Sequence, residues 1–189
     1  MDLWQAGLTG AVAALLTQGL GWLRDRWTVN RKRKCDADYL ALCLAVTLEE
    51  FVVKCRDRMW SDEAAISQGS YDLDYSLPKL APYPDDSQSW RSLHAHKPKI
   101  VEDVLSFRNE ITSAELTNRF SGTYEGNPVA SQDETIIAGV NALNLAKEIR
   151  AVLKLKPAAI KHADQLEDAY GKIQQSRADW AKRNHLTEG

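Results

Sequence analysis

Residues 24–60, RDRWTVNRKRKCDADYLALCLAVTLEEFVVKCRDRMW, contain neither proline nor glycine. Leu40, Leu44, Leu48, Phe51, Val52 and Cys55 recur there at helical spacing and mark one apolar stripe. Leu42 and Val46 fall off the stripe, so the stretch around residues 40–48 is expected to be enclosed on several sides. Strand signals are almost absent from the rest of the chain. The fold class is therefore all-α.

Upstream, residues 3–23, LWQAGLTGAVAALLTQGLGWL, carry no charge. As a helix they span ~31 Å, the thickness of a bilayer's hydrocarbon core, with Trp4 and Trp22 near the two ends. Arg24, Arg26, Arg31, Lys32, Arg33 and Lys34 follow at once, offset only by Asp25. Positive-inside logic makes this a transmembrane helix of the bacterial inner (cytoplasmic) membrane, N-terminus outside and the bulk of the chain cytoplasmic. No positive n-region precedes it, which argues against a cleaved signal peptide. Gln5, Thr9, Thr17 and Gln18 dilute its hydrophobicity, so an amphipathic helix lying in the interface or on a soluble core is the alternative. Fused to the next helix, it would make a rod of ~85 Å; a break at residues 28–30 is the other option.

On a helical wheel Gly7, Gly10, Ala14, Thr17 and Gly21 form a seam of small residues flanked by Gln18, with leucines opposite. Small residues let helix backbones approach, and a glutamine can hydrogen-bond across. No second hydrophobic span exists to receive that seam, so the expected partner is another copy of the chain.

Downstream, residues 61–97 read as one long ordered loop, rich in Pro, Ser and Asp, with a helical turn at residues 61–67. Tyr71, Tyr75, Tyr83 and Trp90 supply anchoring area for it. A helix is expected over residues 98–120, using Val101, Val104, Leu105, Ile111 and Leu116, with Pro98 in its first turn. After the linker SGTYEGNPVAS, a helix runs from Asp133 to Leu155 through Ile136, Ile137, Val140, Leu143, Ala146, Ile149, Val152 and Leu153. A more polar helix over residues 157–182 uses Ile160, Ala163, Leu166, Tyr170 and Ile173. The organisation is a transmembrane helix (1–23), a basic juxtamembrane segment (24–36) and a cytosolic bundle of about four helices (37–189).

With 189 residues, 44% hydrophobic and 26% charged, the chain has a globular composition. A net charge of −2 does not advertise nucleic-acid binding. Cys35, Cys43 and Cys55 share one helix at spacings of ~12 and ~18 Å, too far apart for intrahelical disulfides, so reduced and mostly buried thiols are expected.

Residues 39–51, YLALCLAVTLEEF, resemble a YLALxLA-type helix of uncharacterised, small, bacterial membrane-anchored helical proteins. Pro82, Tyr83, Pro84, Asp85 and Trp90 resemble the PxYPxD…W loop of the same group, and a helix containing SFRN at residues 106–109 follows. The likeness covers about the first 110 residues and implies family membership without an activity. The layout is also similar to that of small membrane effectors of prokaryotic antiviral systems, some of which assemble pores.

Candidate chemistry is sparse. Arg91 and His96, in RSLHAH, resemble the Arg-x4-His pair of HEPN-type ribonucleases, in which His acts as base or acid and Arg stabilises phosphate charge. A solvated loop accounts for the same residues. His94 and His96 lack a third metal ligand, His162 and His185 read as surface, and Asp72, Asp74, Asp85 and Asp86 lack an EF-hand pattern. No metal and no cofactor are expected. Arg24, Arg26, Arg31, Lys32, Arg33 and Lys34 are assigned to lipid headgroup contact, ahead of nucleic acid. The sequence thus points to a non-enzymatic, membrane-anchored homo-oligomer, a pore-forming or membrane-perturbing effector in antiviral defence. A membrane-tethered HEPN-like ribonuclease and a passive scaffold recruiting a cytosolic partner are the alternatives.

Overall fold

The computed structural model describes the backbone over residues 3–69, 76–120 and 128–185, and side chains at 22, 24–69, 76–120 and 132–183. Among the described residues every regular element is helical. They are α1 (Leu3–Ser67), α2 (Ser87–His96), α3 (Pro98–Phe120), α4 (Pro128–Val152) and α5 (Ala163–His185).

α1 is one unbroken helix of 65 residues, ~97 Å long, so the continuous option holds and residues 61–67 extend it. Local chemistry carries it across residues 28–30. The Thr28 hydroxyl donates to the Asp25 carbonyl at 2.9 Å, inside the helical turn. Arg26 lies over the Trp22 ring and Arg31 over Trp27, both pairs one helical turn apart. The helix ends where Gly69 takes a φ of +76° that only glycine adopts without strain.

From Ala37 onward α1 is the spine of the bundle. Leu40, Leu44, Leu48, Phe51, Val52 and Cys55 are all buried, as their spacing predicts. Leu42 is only half-buried and Val46 is exposed, because α4 and α2 cover two sides of α1 and leave the third to solvent. α4 is the main partner of α1 and lies close. A Cβ added at Gly139 would sit 2.9 Å from the Cβ of Cys55. Gly139→Ala is therefore expected to lower stability by about 1–2 kcal/mol, the overpacking cost less the helix propensity alanine gains. Urea denaturation checks this, and Cys55→Gly in the same chain should relieve the clash.

α3 runs over the expected bounds but is rotated relative to the expected stripe. Ile100, Val101, Val104, Phe107 and Ile111 face the core, while Leu105 and Leu116 are exposed. α4 starts at Pro128, earlier than expected, and stops at Val152 rather than Leu155. Lys154 turns left-handed there, with its N–H on the Ala151 carbonyl and that of Leu155 on the Arg150 carbonyl. α5 begins only after His162, a second left-handed residue, so residues 157–162 are not helical.

Of the cysteines, Cys35 is exposed, Cys43 half-buried and only Cys55 buried, so the expectation of mostly buried thiols is corrected. All three are reduced. Burial pushes the Cys55 thiol well up and makes it unreactive.

Among the described residues no helix is long and apolar enough to cross a membrane. The uncharged residues 3–21 and 23 belong to α1, but their side chains, including Gly7, Gly10, Ala14, Thr17, Gln18 and Gly21, lie outside those residues. So do Tyr71, Asp72, Asp74, Tyr75 and the linker residues 121–127.

Candidate functional site

The basic segment is a projecting neck. Residues 24–35 are exposed around the whole helix, and Trp22 and Trp27 keep 60% and 65% of their surface in solvent. A helix wetted on all sides gains nothing from the bundle. Its aromatic surface is open to a bilayer interface or to a partner.

α2 meets the base of this neck. It was expected to be part of the long loop, from the prolines, serines and aspartates of residues 61–97, and SQSWRSLHAH itself offers only Trp90 and Leu93 as large apolar residues. Its start is set by Asp86, whose carboxylate accepts from the Gln88 N–H at 3.0 Å and from the Ser89 hydroxyl at 2.5 Å. The Ser89 hydrogen bond above all holds the Asp86 carboxyl below its usual range. The Trp90 indole donates to the Pro84 carbonyl at 2.8 Å and packs against Tyr83, whose hydroxyl donates to the Val104 carbonyl at 3.4 Å. At the other end the Lys97 ammonium pairs with Asp38 on α1. The Tyr83, Pro84 and Trp90 of the loop motif thus clip α2 to α3, and Lys97 tethers it to α1. Their role here is architectural.

Burial pushes the Tyr83 phenol up to about 12, with the Arg108 guanidinium pulling the other way. The folded chain prefers the neutral phenol. That contribution is complete below the ordinary phenol value of about 10 and is lost as pH rises through about 12. Ultraviolet titration should show late ionisation of Tyr83, with the urea midpoint falling over the same window. Tyr83→Phe should remove both signals.

Clipped in this way, α2 forms one wall of an open cleft of about 710 Å³, lined by Asn30 and Arg33 of α1 and by Ser87, Gln88, Arg91, Ser92, Ala95 and His96 of α2. Trp27, Arg31 and Lys34 continue the surface past His96. Arg91 and His96 therefore lie on a helix and not in a loop, and they share this cleft with Arg33, while Arg31 and Lys34 lie on the adjoining surface past His96. Arg24 and Arg26 stand further out along the neck, apart from the cleft. The His96 Nδ1 lies 2.8 Å from the Ser92 carbonyl, which can only accept, so Nδ1 carries the proton and Nε2 is left for the cleft. Neither lining contains an acidic residue. Among the described residues Arg33, Lys34 and Arg91 have no carboxylate within salt-bridge reach. No three potential metal ligands cluster among the described residues.

Sequence reasoning named the basic residues and the Arg91–His96 pair separately. It missed Asn30, Ser87 and Gln88 and the juxtaposition itself. The one available signal was Asp86, a strong N-cap directly before SQSW.

The architecture defines an all-helical protein whose spine helix carries a basic, tryptophan-bearing neck on one end and a bundle on the other. No protein-family model, no curated protein and no solved structure matches the chain.

Proposed function

We propose that the chain is a membrane-anchored, self-associating helical protein that acts at the bilayer of a bacterial cell. Residues 3–23 are its anchor in this reading, and the bundle is held in the cytoplasm on the same helix. The observation that supports it best is the continuity of α1 through the neck. An uncharged segment leads without a break into Arg24 and Arg26 beside the exposed Trp22 and Trp27, the chemistry of a headgroup layer. The small-residue seam supports pairing of copies in the membrane.

Two measurements test the reading. The protein should stay with the membrane fraction through alkaline carbonate washing; release into the supernatant overturns the anchor. Light scattering in detergent should give an oligomer, and Gly10→Leu with Ala14→Leu should convert it to monomer; a wild-type monomer overturns self-association. Dye release from vesicles by the assembled wild type favours the membrane-perturbing effector, and tight vesicles favour the scaffold.

A second reading, a membrane-tethered HEPN-like ribonuclease, draws on Arg91 and His96 lining one cleft. It requires that Arg91→Ala with His96→Ala abolish RNA cleavage while assembly persists.

A further inference from the structure

We propose that the cleft between the neck of α1 and α2 is a binding site for a phosphate-bearing anion. Arg33 and Arg91 reach it from two different helices, with His96 beside them and Arg31 and Lys34 at its edge. Cations converging without a counter-charge repel one another, and an anion seated between them removes that cost. Guanidinium groups suit the bound species, since their forked donors match phosphate oxygens in pairs. Asn30, Ser87 and Gln88 add neutral polar groups to the same lining. Of the nearby carboxylates, Asp38 is engaged with Lys97 and Asp86 with the first turn of α2, and neither Asp36 nor Asp85 lines the cleft. The volume suits a small phosphorylated molecule or one lipid headgroup.

Two sources share this chemistry. With residues 3–23 in hydrocarbon, Arg33 stands ~15 Å beyond Leu23 along the helix, whereas a headgroup layer is ~5–8 Å deep. That offset favours a soluble anion over a simple phospholipid. The site itself rests on the cleft and does not depend on α1 crossing a bilayer.

The test titrates the full-length chain in dodecyl maltoside micelles with inorganic pyrophosphate by isothermal calorimetry. Saturable binding at one site per chain is expected, weakening as salt rises. Arg33→Gln with Arg91→Gln should weaken it at least about tenfold, with helix content and melting unchanged because both side chains are exposed. Lys172→Gln with Lys182→Gln, the same loss of charge on exposed positions of α5, should leave the affinity as in wild type. Micelles doped with phosphatidic acid or with phosphatidylserine separate the sources. Competition by phosphatidic acid alone assigns the site to a lipid phosphate, and undiminished pyrophosphate binding assigns it to a soluble anion. Absence of saturable binding, or equal weakening in the two double variants, overturns the proposal.

Discussion

Phe51→Ala is expected to destabilise the bundle by about 3–5 kcal/mol, a fall in melting temperature of roughly 6–20 °C for a chain of this size. Phe51 is 1% exposed and is among the largest fully enclosed side chains. Its ring meets Phe107 edge-on at 6.0 Å between centroids, the contact by which α3 reaches the spine. Truncation removes the transfer energy of the ring and leaves a void that Leu48 and Val52, fixed on the same helix, cannot close. Leu116→Ala is the matched control. That leucine is 65% exposed on α3, and its loss should stay within about 0.5 kcal/mol. A small effect at Phe51 would mean that α3 does not dock where described.

The stripe on α1 was legible because its side chains meet partners on one arc, so spacing alone identifies them. On α3 the same logic chose two leucines that face solvent. Val101, Val104 and Ile111 fix the buried arc, and Ile100 and Phe107 complete it. Hydrophobicity by itself does not say which of two adjacent apolar residues turns inward. Helix ends were less legible still. Lys154 and His162 terminate and delay helices through left-handed backbone at residues that are not glycine, and composition does not announce that.

The cleft was half legible. Arg33 and Arg91 are 58 positions apart and lie on elements of which one read as loop, so nothing local joins them. What brings them together is the clip of Asp86, Trp90 and Tyr83 and the tether of Lys97 to Asp38. Those residues looked like a sequence signature and act as structural fasteners. Cation clusters can be read from sequence as charge; their convergence is a tertiary fact.

Replacing either member of the Glu49–Arg150 pair should cost about 2–3 kcal/mol, and replacing both should cost much less. Arg150 spans the two carboxylate oxygens of Glu49, with Nη2 on Oε2 at 2.8 Å and Nε on Oε1, and Nη1 reaches the Lys156 carbonyl at 3.4 Å. The side chains keep only 17% and 13% of their surface, so the survivor of a single substitution is a charge held mostly out of water. That uncompensated desolvation, more than the lost attraction, sets the penalty; residual solvent access keeps it below the 3–5 kcal/mol typical of a fully enclosed pair. Glu49→Leu and Arg150→Met should each lower the urea midpoint. The combined variant should recover most of the loss, because two apolar chains of similar length refill the space without a charge. A double variant as weak as the sum of the singles would show that the pair is not coupled across α1 and α4. Since this contact fixes the end of α4 against the spine, hydrogen exchange should report the loss first at residues 149–153.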